Sequence, residues 1–225
     1  MRKGLTELVF ILDRSGSMRG LEHDTIGGFN GMLDRQREQE GKANVTTVLF
    51  DDRYEKIHDR VSLDRVKELT KKEYYVRGCT ALLDAMGRTI HEMVLIQKHL
   101  PAEEKAEKVI FVITTDGLEN ASHQYSREQV RRMVEHEKKR YGWEFLFLGA
   151  NMDAVAEAGS FGIGADRSVT FQNDSQGIAV NYQVVGETLC QMRSAAPAAA
   201  PIGAEWKEKI EKDYKKRGKG LFGRG

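Results

Sequence analysis

The sequence predicts an α/β domain built around a largely parallel β-sheet, and three observations predict it. Apolar runs of strand length alternate with longer amphipathic stretches along most of the 225 residues. The run KVIFVITTDG (108–117) is nearly continuous in apolar and β-branched residues, as a central strand covered on both faces should be. A hydrophobic content of 40% supplies a sizeable core, and 31% charged residues supply a solvated surface. The length fits one domain of this class.

Taken in order, the first strand covers 8–12 and stops at Asp13. A helix is expected over 22–40, although Gly27 and Gly28 inside it each cost about 1 kcal/mol relative to alanine. Strands at 45–50 and 54–61 form a hairpin with DDR (51–53) as its turn. A short helix is expected over 63–70. The helix over 81–99 shows its period plainly, because Leu82, Ala85, Met86, Ile90, Met93, Val94 and Ile96 make one broad apolar face. Pro101 stops it. Then follow a strand at 108–114, a helix at 126–141, a strand at 143–148, a helix at 152–160, a strand at 168–171 and a helix at 176–193.

After Ser194 the composition changes. AAPAAAPIGA (195–204) reads as a low-complexity connector whose prolines disfavour one continuous helix. EWKEKIEKDYKKR (205–217) spaces Trp206, Ile210 and Tyr214 by four, an apolar stripe suited to packing on the chain itself. GKGLFGRG (218–225) reads as a frayed end. The expected organisation is a domain over 5–194 followed by a connector and basic tail over 195–225. That tail should be dispensable for folding, since the strands and helices are complete before it.

Charge and cysteine content narrow the function classes. The formal net charge is +1, but 204–225 carry eight Lys or Arg against four Asp or Glu. The whole molecule has no polyanion-binding signature, and KKRGK (215–219) lacks an aromatic platform, so nucleic acid is not an expected partner. Cys79 and Cys190 are far apart and form no metal or redox motif, which reads as reduced thiols in a cytoplasmic protein. The first residues lack a long apolar segment, and no stretch approaches eighteen apolar residues. Neither secretion nor membrane spanning is expected.

The first strand ends in an unusual loop, VFILDRSGSM (9–18). Asp13, Ser15 and Ser17 alternate there, which suits an aspartyl nucleophile, a serine nucleophile or oxygen ligands for a hard cation. An aspartyl phosphatase needs a second acid two residues on, and Ser15 occupies that place. A serine-hydrolase elbow would read G-x-S-x-G, and no histidine stands where a base is needed. GCTALLD (78–84) lacks the lysine of a phosphate-binding loop. The cation reading finds further oxygen ligands instead. Thr80 opens a helix after a glycine-containing loop, and Asp116 ends a second buried strand. Loops at the carboxyl ends of parallel strands share one crevice, so Asp13, Ser15, Ser17, Thr80 and Asp116 can converge. Two carboxylates with three hydroxyls suit a hard ion such as Mg²⁺ and make a poor zinc or copper site.

DRSGS (13–17), the G-x-T loop at 78–80 and TTDG (114–117) resemble the metal-ion-dependent adhesion site (MIDAS) of von Willebrand factor A (vWA) domains, over residues 5–194. The resemblance implies a Rossmann-like doubly wound sheet, mostly parallel with one antiparallel edge strand and helices on both faces. It implies Mg²⁺ or Mn²⁺ held by Asp13, Ser15, Ser17, Thr80 and Asp116, and a partner protein whose Asp or Glu completes the coordination. It implies no enzymatic activity. One departure is Cys79, where many relatives carry glycine. Two other functions stay open at this point: an adaptor for an ATPase, kinase or stress-response system of the tellurite-resistance kind, and a metal-dependent phosphohydrolase. Arg14, Arg77, Asn120 and His123 flank the ligand loops, as groups for an acidic partner or as plain surface.

Overall fold

The computed structural model describes residues 2–150, 152–196 and 202–221. The connector residues 197–201 and residues 222–225 lie outside the described residues, and of the end expected to fray (218–225) residues 218–221 instead continue a helix. Six strands form one sheet: β1 (Arg2–Asp13), β2 (Lys42–Phe50), β3 (Tyr54–Ser62), β4 (Ala106–Thr115), β5 (Glu144–Ala150) and β6 (Ser168–Phe171). Their order is β3-β2-β1-β4-β5-β6, and every pairing is parallel except that of β2 with the edge strand β3. From β1 the chain winds outward one way to β3, and from β4 it winds the other way to β6. The direction therefore switches between β1 and β4, where an α/β sheet opens a crevice at its carboxyl edge.

The helices are α1 (Glu22–Arg37), α2 (Leu82–His99), α3 (Arg127–Tyr141), α4 (Ala154–Ser160), α5 (Ser175–Ser194) and α6 (Glu208–Leu221). Alternation along β1 assigns them to faces. Leu8, Phe10 and Leu12 point into a core shared with Phe29 and Leu33 of α1 and Val185 and Leu189 of α5. Val9 and Ile11 point the other way, into Leu82, Met86 and Ile90 of α2, Val130 and Val134 of α3, and Ala154 and Ala158 of α4. The glycines of α1 have a packing reason. A Cβ at Gly28 would lie 2.4 Å from the Tyr182 ring, so glycine lets α1 and α5 approach.

Two expectations are corrected. Residues 63–70 form no α-helix: a single 3₁₀ turn, Leu63–Arg65, is followed by extended chain. Side chains of α1 satisfy this segment's backbone in place of helical bonds. Arg37 donates to the Leu63 and Val66 carbonyls, and Asn30 both accepts from the Leu69 amide and donates to its carbonyl. Leu63, Val66 and Leu69 are buried, so the apolar spacing marked burial correctly and conformation wrongly.

The segment after the connector is also no appended tail. Trp206 and Ile210 are buried in the same core as β1, α1 and α5. The Trp206 indole donates to the Asp166 carbonyl at 2.8 Å, and Lys207 Nζ donates to the Ala165 and Ser168 carbonyls. The bond to Ser168 falls at the first residue of the edge strand β6, and the other two hold the 3₁₀ turn (Ala165–Arg167) that leads into it. Trp206→Ala should destabilise the protein by about 3 kcal/mol, or roughly 6–12 °C in melting temperature. Truncation after Ser194 should lower the melting temperature at least as much, as read by circular dichroism on heating.

Candidate metal centre

β1 carries Asp13 to the carboxyl edge of the sheet, where its side chain is 2% exposed. Both carboxylate oxygens are engaged. The Ser15 amide donates to Oδ1 at 2.7 Å, and the Thr115 hydroxyl donates to Oδ2 at 2.6 Å. The chain then makes a 3₁₀ turn, Gly16–Met18, anchored by the buried Met18 side chain. This turn presents Ser15 and Ser17 side by side, their hydroxyls 3.1 Å apart.

The loop before α2 adds Thr80, whose hydroxyl donates to Ser15 Oγ at 3.1 Å. The loop after β4 adds Asp116, which accepts from the Ser17 hydroxyl through Oδ1 and from Asn173 Nδ2, at 2.9 Å, through Oδ2. All five sequence-predicted residues therefore lie in one hydrogen-bonded cluster. Asp13 sits beneath it, joined through the Ser15 backbone. Gly117 is required at the rim, because a Cβ there would lie 2.6 Å from Thr80 Oγ1.

A reciprocal lock holds the second and third loops together. Glu119 accepts from the amides of Leu83, Ala121 and Ser122, and Ser122 Oγ accepts from the Asp84 amide. Asp84 in turn accepts from the amides of His123, Gln124 and Tyr125. The free amides at the start of α2 are thus satisfied by a distant loop. Asn120 adds a paired bridge: its Oδ1 accepts from the Thr80 amide at 2.9 Å, and its own amide donates to the Thr80 carbonyl.

Three contributors were not identified from sequence. Thr115 reads as a β-branched residue of the 108–117 run, Asp51 as part of the DDR hairpin turn, and Asn173 falls unremarked between the expected strand 168–171 and helix 176–193. Arg14, in contrast, was singled out for its place in the loop and assigned wrongly. It is neither a partner-facing group nor surface, because its side chain is completely buried and ion-paired to Asp51 and Glu55. Arg77 is partly exposed, and His123 is exposed.

The electrostatics follow from burial. Desolvation raises the Asp13 carboxyl to about 6, against the lowering effect of its bonds from Thr115 and Ser15, and Asp116 adds like-charge repulsion. Burial also raises Asp116, despite the bonds from Ser17 and Asn173. Among the described residues no Lys or Arg pairs with either of these two carboxylates, so the cluster concentrates negative charge when they ionise. Its geometry fits one. Metal–oxygen distances of about 2.0–2.1 Å in an octahedral site put neighbouring ligand oxygens about 3 Å apart, and Ser15 Oγ lies 3.1 Å from both Ser17 Oγ and Thr80 Oγ1. Among the described residues no group of three or more His, Cys, Asp or Glu could hold an ion, so a metal here would rest largely on hydroxyls.

No protein-family model matches the sequence, and no curated protein matches it. Solved structures do. Proximal thread matrix protein 1 from the mussel byssus aligns with a TM-score of 0.57 and 15% identity, over 83% of this chain and 46% of that one. The same protein with a zinc-occupied MIDAS motif gives 0.54 and 19%, over 83% and 46%. A von Willebrand factor type A protein from Catenulispora acidiphila gives 0.54 and 16%, over 81% and 42%. The chain spans less than half the length of each. At these identities the likeness is one of fold.

The raised Asp13 carboxyl has a consequence for metal-free protein. Between its ordinary value of 3.8 and about 6 the folded chain keeps a proton that the unfolded chain has released. Stability should therefore increase as pH falls through 6 toward 4, by up to about 3 kcal/mol in all. Asp116 acts in the same direction. Urea unfolding in EDTA at pH 7 and pH 5 should show about 1.3 kcal/mol of this gain, and Asp13→Asn should remove most of it.

Proposed function

From the von Willebrand factor A fold that the chain shares with these structures, we propose a divalent-metal-dependent protein-binding module. Ser15, Ser17 and Thr80 would hold Mg²⁺ or Mn²⁺ directly, with Asp13 and Asp116 acting through water or directly. The observation that carries this reading is the contiguous hydroxyl cluster, spaced at 3.1 Å, lying over two under-compensated carboxylates. A zinc-occupied motif in a structural neighbour supports a divalent ion. The all-oxygen donor set here favours Mg²⁺ or Mn²⁺ over zinc.

When bound, the ion supplies a positive centre for a carboxylate from outside. The chain's own residues determine how positive that centre stays. Hydroxyls contribute no charge to the shell, and Asp13 is held by Ser15 and Thr115 beneath the cluster. An Asp or Glu of a partner protein is therefore the favoured addition. The same geometry argues against hydrolysis, because both Asp13 oxygens are engaged and no acid stands two residues on. Among the described residues no histidine side chain is hydrogen-bonded to any of the five. A cytoplasmic location belongs to the proposal. Both cysteines are free, and no described helix is long and apolar enough to cross a membrane.

Calorimetric titration should show one Mg²⁺ or Mn²⁺ site in the wild type, lost in Asp116→Ala. Gly117→Ala, which presses on the Thr80 hydroxyl, should weaken it. Affinity-capture of a partner should fail in EDTA and with Asp116→Ala. Equal titration curves for wild type and Asp116→Ala would refute the assignment, and metal-dependent phosphoester hydrolysis lost in Asp13→Ala would restore the aspartyl-nucleophile reading.

A further inference from the structure

We infer that Arg14, Asp51 and Arg77 are positioning residues that set Thr80 against Ser15, an inference that rests on reading this cluster as an ion site. None of the three reaches the hydroxyl cluster itself. Their effect passes through the backbone on either side of Thr80.

Arg14 follows Asp13 and, by strand alternation, points away from it. Its guanidinium reaches two other segments. Nε donates to Asp51 Oδ2 at 2.9 Å, Nη1 donates to the Glu73 carbonyl at 3.1 Å, and Nη2 pairs with Glu55 at 2.7 Å. Its backbone is engaged as well, the amide donating to the Phe50 carbonyl and the carbonyl accepting from the Arg77 amide at 3.0 Å. The buried guanidinium is held by two hydrogen bonds, while Nη2 meets Glu55 as an ion pair without a hydrogen bond.

Asp51 is the hub. Its Oδ2 accepts from Arg77 Nε at 2.6 Å as well as from Arg14, and its Oδ1 accepts from the Arg53 amide. Its main-chain carbonyl accepts from the Ala81 amide at 2.9 Å. The Thr80 loop is therefore held on its amino side at Arg77 and on its carboxyl side at Ala81, both times by Asp51. Between them the Gly78 carbonyl accepts from the Gly16 amide at 3.2 Å, which ties the loop directly to the turn between Ser15 and Ser17. Gly78 has φ of +68°, and a Cβ there would lie 2.1 Å from Asp52 Oδ1, so this approach needs glycine.

The Tyr75 ring lies 5.3 Å from the Arg14 guanidinium and 5.2 Å from that of Arg77. It closes the cluster toward solvent. Two guanidinium groups face two carboxylates, Asp51 and Glu55, so the network adds little net field to the site and acts through position. Residues that hold a metal ligand in place without touching the metal typically change its affinity by 10- to 100-fold when lost.

The test uses the full chain and Mn²⁺ alone as probe. Arg77 is partly exposed, so Arg77→Met should fold, and Asp51→Asn supplies a second variant that keeps the main-chain bond to Ala81. Arg77→Met should weaken Mn²⁺ binding about tenfold, with a melting temperature close to wild type. It should also speed exchange of the Ala81 amide hydrogen. Arg77→Lys, which keeps one donor for Asp51, should recover most of both. Wild-type Mn²⁺ affinity and wild-type Ala81 exchange in folded Arg77→Met and Asp51→Asn would overturn the inference while leaving the ion site standing. Faster Ala81 exchange in a protein that binds no Mn²⁺ even as wild type would refute the ion site and uphold the loop-setting role of the three residues.

Discussion

A carboxylate buried at the end of the central strand is the constraint on which the carboxyl edge of this fold depends. Asp13 is 2% exposed between β2 and β4, where water cannot solvate it. The chain must supply its hydrogen bonds, and each donor comes at the cost of ordering a different segment. Ser15 bends the first loop back over Asp13, Thr115 fixes the end of β4, and the buried Tyr74 hydroxyl donates to the Asp13 carbonyl at 2.6 Å. The first two order the loops that carry Ser15, Ser17 and Asp116, and the Thr80 loop is tied on through Asp51 and Gly78. The hydroxyl cluster above Asp13 follows from satisfying it.

The carboxyl edge is tied to the rest of the molecule in two directions. Toward β4 and α2, Glu119 accepts from the Leu83 amide and Asp84 accepts from the amides of His123, Gln124 and Tyr125, so the Asp116 loop and the Thr80 loop are held to one helix start. Toward the C-terminus, Asn173 holds Asp116, and the next residue, Asp174, accepts from the Gly177 amide at the start of α5. Asp174 also pairs with Arg217 of α6. The helix beyond the connector is thereby linked to the residue beside an Asp116 contact, as well as packed on the core through Trp206 and Ile210.

How much of this was legible in the sequence depended on whether a residue's role was local. All six strands were found, because alternation and β-branched runs are local signals, and five of the six expected helices were found for the same reason. The stretch 63–70 failed because the bonds that decide its conformation come from Asn30 and Arg37, over 25 residues away in sequence. The five candidate residues were legible as one group since Asp-x-Ser-x-Ser, a helix-opening Thr and a strand-end Asp have few uses that need all three loops. Arg14 was misread because a loop charge is ordinarily solvated, and Asp51, rightly placed in the hairpin turn, carried no local sign of its ion pair. Only the fold shows that these two bury each other.

The central claim is that hydroxyls of three residues, with two carboxylates close by, hold a hard divalent ion. Burial raises both carboxyls, so a cation and a proton compete for the same oxygens. The most direct measurement is a crystal structure of the protein grown near pH 7.5 with Mn²⁺, using anomalous scattering to place the metal. The account predicts one strong peak within bonding distance of Ser15 Oγ, Ser17 Oγ and Thr80 Oγ1. An empty cluster, or a peak only at a site remote from these three oxygens, would contradict it.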